Sequence, residues 1–409
     1  MHVLVLNCGS SSLKFQLIET SAEQIRDDND RALAHGSVER IGSDQASIKY
    51  EMAGGEKQEK TAPVLQHKDA IRIAFDYLTA PGNPISDPKQ IEAVGHRIVH
   101  GGEAFRESAL IDDAVLREIE RVSGLAPLHN PHNLKGYFVS RELLPDAAQV
   151  AVFDTAFHQT LPPHAFLYGL PYEFYTRDKV RRYGFHGTSH RYISWRYARV
   201  HNSTRDRFRL ITCHLGNGCS ICAIDHGKSV DTTMGFTPMD GLLMGTRPGD
   251  LDPGAVLYLT DRDPMGARGV DVLLNQRSGI AGLTGGITDM RDLLAARDSG
   301  DVRARYAVDI FCYRARKYIG AYLTVLGGAD AILFAGGIGE NSAAIRAQIC
   351  RGLEFLGIHV DVAANEARGN AARSISPADS PIQVWVVPTN EELVIARDTF
   401  RCIHKIPHP

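Results

Sequence analysis

Twice in this chain a strand-like run breaks at a glycine-rich polar turn and resumes as a second strand-like run. "LVLNCGSSSLKFQL" (Leu4 to Leu17) does so near the N-terminus, and "RLITCHLGNGCSICAID" (Arg209 to Asp225) does so again roughly half a chain later. Apolar residues alternate at period two beyond the first turn, through Phe15 and Leu17, which points to an antiparallel hairpin and not to a strand feeding a helix. That rules out a P-loop, whose G-x-x-x-x-G-K-[ST] must open a helix. Glycines in such a turn still let backbone N–H groups approach an anion, and Lys14 adds a point charge. A chain built this way predicts two similar α/β halves, each presenting a phosphate-gripping hairpin toward a shared cleft.

The intervening sequence fits that plan. "VLQHKDAIRIAFDYLTA" has helical spacing, "IEAVGHRIVHGG" ends a strand in glycines, and "AQVAVFDTAFH" reads as a buried strand ending at Asp154. "SGIAGLTGGITDMRDLLAAR" runs from glycines into a helix, and "DAILFAGGIGENSAAIR" is strand, glycine loop, helix. With 409 residues, 44% of them hydrophobic, the chain has room for about two or three domains. A net charge of −3 gives no basic surplus, so no nucleic-acid or anionic-membrane surface is expected. The basic "RDKVRR" (Arg177 to Arg182) reads as a solvated face, and "RDDNDR" (Arg26 to Arg31) and "EMAGGEKQEKT" (Glu51 to Thr61) read as exposed hairpin caps. The seven cysteines are scattered and fit reduced thiols in a cytoplasmic setting; Cys219-Ser-Ile-Cys222 lacks the second pair a zinc site needs. There is no charged leader followed by an apolar core and no apolar run near ~18 residues, so neither secretion nor membrane insertion is expected.

Polar residues cluster in the loops: "GHRIVHGG" with Arg97, "LAPLHNPHN" with His129, "FDTAFH" with Asp154, "RYGFHGTSH" with His186, "CHLGNG" with His214 and Asn217, "GTRPGDLDPG" with Arg247, and "TNEELVIARDT" with Glu391. Taken singly, such arginines read as surface ion pairs and Asp154 as a strand-end turn residue. His186 and His190 have the i, i+4 spacing of a zinc helix, but the Glu of H-E-x-x-H is missing. Thr188 and Ser189 are expected to cap the helix beginning "HRYISWRYA". The run from Gly337 to Gly339 imitates a dinucleotide fingerprint without its third glycine, which leaves an NAD-dependent enzyme as a weak alternative.

As a series, these strings closely resemble the acetate kinase family, in unbroken order from Asn7 to about Arg397. The resemblance implies an α/β fold of the sugar kinase, Hsp70 and actin superfamily: two duplicated ribonuclease H-like (actin-like ATPase) domains with an interdomain active-site cleft. The domains would be residues 1–153 plus about 392–409, and residues 154–391. It implies MgATP-dependent phosphorylation of acetate, with Mn²⁺ able to replace Mg²⁺, in a homodimer. Arg97 would bind the substrate carboxylate, while Arg247 and His186 would contact the phosphoryl group in flight, with His129 beside it. Asp154 would orient the substrate or a metal-bound water, and Asn7 with Glu391 would hold the metal. Val99, Leu128 and Pro238 would line the acyl pocket. Ser10, Ser12 and Lys14 from the first hairpin, and His214, Leu215, Gly216, Asn217 and Gly218 from the second, would grip the phosphates. Asp289, Met290 and Arg291, with Gly337, Ile338, Gly339, Glu340 and Asn341, would hold the adenosine. Cys8, Met239, Asp240 and Pro248 depart from the usual family wording, and none removes a charged group from this set. A propionate kinase, or a non-catalytic ATP switch of the actin or Hsp70 kind, are the alternative readings.

Overall fold

Both hairpins form, and each seeds a sheet. In the computed structural model, which describes residues 1–9, 11–80, 82–83, 85–126 and 129–407, β1 (His2–Cys8) pairs antiparallel with β2 (Ser12–Glu19), setting Asn7 opposite Lys14 at the loop end. In the second half, β9 (Arg209–Leu215) and β10 (Cys219–Asp225) pair the same way and set His214 opposite Ser220. Ser10 and Leu128 lie outside the described residues.

The first sheet adds β3 (Arg31–Glu39), β4 (Ser43–Met52), β5 (Gln58–Val64), β6 (Ala93–Ile98), β7 (Ala109–Leu110) and β8 (Ala148–Phe153), in the order β5-β4-β3-β2-β1-β6-β8-β7. The second adds β11 (Lys228–Thr232), β12 (Ala331–Ala335), β13 (Arg373–Ser374) and β14 (Gln383–Val386), in the order β11-β10-β9-β12-β14-β13. The common core is the same in both: three antiparallel strands, β3-β2-β1 or β11-β10-β9, then two strands parallel to the last of them, β6-β8 or β12-β14. The expected duplication is therefore a duplication of topology. Two compact units result, residues 1–156 with 390–409, and residues 157–389. Asp154 and Glu391 both fall in the first unit.

Period two explains how the first sheet is covered. Leu4 and Leu6 of β1 face one side, with Ile71 and Ala74 of α1 (His67–Leu78) and Val139 of α2 (Asn130–Leu143); Val3 and Val5 face the other, with Ile395 and Ala396 of the C-terminal helix. In the second unit, Ile193 and Tyr197 of α3 (Gly187–Val200) pack on Leu210, Cys222, Ile224 and Leu333. Further elements of this unit are α4 (Pro253–Thr260), α5 (Met290–Asp298), the long α6 (Val302–Leu326), α7 (Gly336–Asn341) and α8 (Ala343–Cys350); α9 (Glu391–His404) is the C-terminal helix of the first unit. All seven cysteines are free thiols, and Cys219 and Cys222 are buried on β10.

Two charged stretches expected on the surface are exposed in part, but each also carries an internal anchor. Asp28 and Asp30, in the supposed hairpin cap, accept hydrogen bonds of 2.6 to 3.0 Å from Arg397 of α9, whose side chain is buried. Arg182, in the supposed solvated face, donates to the carbonyls of Thr232, Thr233 and Met234 and pairs with Asp240 at 3.3 Å. Local sequence could not reveal either, because each partner lies far along the chain.

The seat of α9 on β6 depends on Gly95. A Cβ there would meet Thr399 Oγ1 at 2.5 Å and Ile395 Cγ2 at 2.8 Å, so the helix that starts at Glu391 rests directly on that backbone. Gly95→Ala should destabilise the fold by about 1–3 kcal/mol through overpacking, read as a lower urea midpoint. An unchanged midpoint would mean that α9 is not held at this contact.

Candidate active site

In the first unit the candidate site residues Asn7, Arg97 and Asp154 gather at the ends of parallel strands. β6 and β8 pair in the register Arg97↔Val152, so the residue following Phe153 comes level with the Arg97 side chain. Arg97 Nε donates to both Asp154 oxygens, at 2.9 and 3.1 Å, and Nη2 donates to Oδ2 at 2.6 Å. Glu391 lies 3.8 Å from Nη2, and Asn7 Oδ1 lies 3.5 Å from Nη1. Burial opposes charge on this guanidinium, but Asp154, Glu391 and Glu392 outweigh it and hold it firmly cationic. Burial likewise raises the Asp154 carboxyl above its ordinary range, partly offset by Arg97. A guanidinium has five N–H donors. The Asp154 grip engages Nε and Nη2, and the remaining Nη1–Nη2 edge, with only the long approaches of Asn7 at 3.5 Å and Glu391 at 3.8 Å among the described residues, is the side able to take a second carboxylate.

Two asparagines that the sequence reading left unassigned fix this neighbourhood. From α2, Asn133 accepts from Val99 N at 3.0 Å and donates to Cys8 O at 2.7 Å, and Asn130 exchanges two hydrogen bonds with the His100 backbone. His129 is the residue preceding that helix. The i, i+3 spacing of Asn130 and Asn133 in "LHNPHN" was the available signal, since it puts both on one helical face. Lys14 is exposed on β2 and Ser12 opens that strand, part-buried.

Oxygen donors near Arg97 suit a hard cation: Asn7 offers a carbonyl and Glu391 a carboxylate. Among the described residues no cluster of three or more His, Cys, Asp or Glu could form a metal cage. Mg²⁺ at kinase sites needs none, because it is held by one or two carboxylates plus water and substrate phosphates.

In the second unit the β9–β10 loop closes on itself, Gly216 N donating to Gly218 O at 3.1 Å. The side-chain oxygen of Asn217 fills the space a Cβ on Gly245 would need, and Gly245 N donates to Asn217 O, which locks the hairpin to the loop carrying Arg247. His186 precedes α3 in the left-handed region, φ 56°, and its Nδ1 lies 2.9 Å from Ser220 Oγ. Thr188 and Ser189 therefore fall within the first turn of α3 and do not cap it; Ser189 Oγ instead lies 2.8 Å from His214 Nδ1. The two imidazoles of His186 and His214 are 4.4 Å apart. A Cβ on Gly218 would sit 3.0 Å from Arg247 Nη2 and 3.4 Å from His186 Nε2, so both groups converge on a backbone point that only glycine leaves open.

Arg247 differs from Arg97 in one decisive respect. Its Nη1 donates to Pro238 O at 2.8 Å, but no carboxylate pairs with it among the described residues, and burial pushes its pKa down. Pro238 thus contributes its carbonyl to aiming Arg247. Elsewhere in this unit, Asp289 caps α5 and forms an exposed pair with Arg291, which pulls its pKa to about 2, while Met290 is buried. Leu215 is buried on β9. Gly337, Ile338, Gly339, Glu340 and Asn341 form α7; Glu340 accepts from Gly336 N and Thr389 N, and Asn341 donates to Gly337 O.

A model of the acetokinase family matches residues 2–397. The chain belongs to that family. An acetate kinase of Solibacter usitatus is 51% identical over all of both chains. Among solved structures, an acetate kinase of Porphyromonas gingivalis matches with a TM-score of 0.90 at 43% identity, covering 98% of this chain and 99% of that one. A propionate kinase of Francisella tularensis matches with a TM-score of 0.88 at 39% identity, covering 97% and 98%. Membership of the acetokinase family makes the chain a phosphotransferase with a carboxyl acceptor, and its two sheets share one core topology. No helix among the described residues is long and apolar enough to cross a membrane.

The Arg97–Asp154 pair can be weighed directly. Asp154→Ala removes the closest counter-charge of a largely buried cation, leaving only the longer 3.8 Å approach of Glu391 among its ion pairs in the described residues, and should cost up to about 3–5 kcal/mol, as should Arg97→Ala for the opposite charge. The double variant should cost clearly less than the sum, measured by urea unfolding in a double-mutant cycle. Additive costs would show that the two groups do not stabilise one another.

Proposed function

We propose that the chain catalyses reversible transfer of the γ-phosphoryl group of MgATP to acetate, giving acetyl phosphate and ADP, by direct in-line displacement. The observation that carries this reading is the contrast between its two arginines. Arg97 is tightly held by Asp154 with one edge left to bind an anion, whereas Arg247 is desolvated, lacks a carboxylate among the described residues and converges with His186 on Gly218. A carboxylate acceptor has a pKa near that of Glu, about 4.3, so it is already ionised at pH 7 and needs no general base. The obstacle is repulsion, about 4 kcal/mol for two unit charges ~4 Å apart at an effective dielectric near 20. Cationic groups aimed at the equatorial oxygens of the transferring phosphoryl are what such a reaction requires.

In this reading Arg97 takes the acetate carboxylate on its Nη1–Nη2 edge. Asp154 is the group that orients and charges Arg97, in place of a direct role on substrate or water. Arg247 and His186 donate to the phosphoryl oxygens, with Asn217, Gly216 and Gly218 beside the phosphates and His129 next to the transferring group. Asn7 and Glu391 would hold Mg²⁺, which would supply positive charge against the phosphates. The α5 and α7 segments are assigned to adenosine, and Val99 to the wall of the acyl pocket. Acetate is preferred over propionate because relatives at about half identity over the full chain, such as those of Solibacter usitatus and Chloroherpeton thalassium at 51% and 50%, are acetate kinases. Free thiols throughout fit a reducing, cytoplasmic setting.

Incubation with MgATP, hydroxylamine and acetate, propionate or butyrate should yield acetohydroxamate fastest. Arg247→Ala should lose mainly kcat, by roughly 10³ to 10⁵ as arginines in this role do, and Arg97→Ala should mainly raise the acetate KM. Absence of hydroxamate from every short acid would refute the reading.

We also propose a homodimer built on α4. None of the residues of "PGAVLYLT" is buried, and Leu257, Tyr258 and Met265 are 68%, 57% and 67% exposed, an apolar surface of the kind that marks an interface. Light scattering should give a dimer for the native chain and a monomer for Leu257→Asp; a native monomer overturns this assignment.

A further inference from the structure

The second unit contains a buried chain of hydrogen bonds that ends on His186. Thr212 Oγ1 lies 2.7 Å from His190 Nδ1, His190 Nε2 lies 2.8 Å from Ser220 Oγ, and Ser220 Oγ lies 2.9 Å from His186 Nδ1. Thr212, His190 and Ser220 are each fully buried. Ser220 stands on β10, Thr212 on β9, and His190 on the first turn of α3, one turn beyond His186.

The direction of this chain follows from counting protons. His190 is neutral, because burial and the neighbouring His158 and His214 push its pKa well below the ordinary histidine value. It therefore has one N–H and one lone pair, and must donate to one hydroxyl and accept from the other. If Nδ1 carried the proton, Thr212 would only accept, and its own hydroxyl proton would be buried with nothing to receive it, since His190 is the sole partner of that oxygen among the described residues. A buried donor left unmade is the expensive outcome. The satisfied arrangement runs the other way: Thr212 O–H donates to Nδ1, His190 Nε2–H donates to Ser220, and the Ser220 proton is left to donate to His186 Nδ1.

We propose that Thr212, His190 and Ser220 are positioning residues that hold His186 as the tautomer with Nε2 protonated, so that its Nε2–H points to where an acceptor-only phosphoryl group would sit beside Gly218 and Arg247. A phosphoryl oxygen can only accept, so a lone pair on Nε2 would repel it; the buried hydroxyl at the far end of the chain removes that option. This rests on the proposed phosphoryl-transfer reading for its consequence in catalysis, but not for the tautomer itself.

The test separates the two. In the native protein labelled with ¹⁵N-histidine, with His186 assigned by comparison with His186→Asn, Nδ1 should resonate in the unprotonated range and Nε2 in the protonated range, with or without activity. Thr212→Val keeps the shape and removes the directing proton; it should shift His186 toward the other tautomer. It should also lower kcat by roughly tenfold, part of the ~10²–10³ that loss of a whole transition-state donor costs, while leaving the acetate KM within about twofold. Ser220→Ala should do the same, and Thr212→Ser, which restores the hydroxyl, should recover both signals. A native His186 protonated on Nδ1, or a Thr212→Val enzyme with native tautomer and kcat, overturns the proposal. So does Thr212→Ser failing as badly as Thr212→Val, since that would trace the defect to packing. A native protein with the expected tautomer but no acyl phosphate product would leave the hydrogen-bond chain standing and remove the proposed reaction.

Discussion

A strand buried on both faces can offer chemistry only at its ends, and the central strands of both sheets are buried in this way. In β9 every residue after Arg209 is buried, and in β12 all five are. The polar residues that matter accordingly lie where strands stop: Asn7 at the end of β1, Arg97 near the end of β6, Asp154 just past β8, His214 near the end of β9, and Gly336 just past β12. Because β1, β6 and β8 run parallel, as do β9, β12 and β14, their ends emerge on one edge of each sheet. Open α/β sheets bind ligands at that edge for the same reason. The hairpins add a glycine turn at the same edge.

The two arginines show how one fold gives one residue type two electrostatic states. Arg97 sits between parallel strands whose register brings a carboxylate beside it, so its charge is matched before any ligand arrives. Arg247 rides on a loop fixed by backbone contacts, Gly245 against Asn217 and Gly279 against the Arg247 backbone, with only the Pro238 carbonyl on its guanidinium among the described residues. Holding a part-buried cation with no paired carboxylate among the described residues is unfavourable, and the packing of that loop must offset it. Such an arrangement favours the moment when an anion is most highly charged, which is what preorganised electrostatic catalysis consists of.

What the sequence disclosed divides along physical lines. Period-two alternation around glycine turns announced both hairpins, and hence the duplication, because strand geometry is written locally. Arg97, Asp154, His186 and Arg247 were singled out by the ordered series of strings they stand in, since taken one at a time each had an ordinary structural reading. The grip of Arg97 on Asp154 was not, since nothing local says which of several strands pair in parallel. The same holds for Arg397 with Asp28 and Asp30, whose separation along the chain exceeds 360 residues. Thr188 and Ser189 misled because their local pattern is that of a cap, yet the helix starts from His186 in a left-handed conformation and spends the Ser189 hydroxyl on His214.

Ser220 and Thr212 were hidden for a subtler reason. Within "TCHLGNGCSIC" each is a small polar residue in a β-strand, where alternation alone would turn it toward solvent. Here α3 covers that face of the sheet, so each hydroxyl is enclosed and must find its partner on the helix. His190 supplies both partners at once, one ring nitrogen to each strand. A buried imidazole bridging two strands and a helix turn is a rigid spacer, and it makes the orientation of His186 depend on the packing of the whole α3 layer. The sheet edge that carries His186 is thus coupled to the core through hydrogen bonds whose direction depends on which oxygen would otherwise go without a partner.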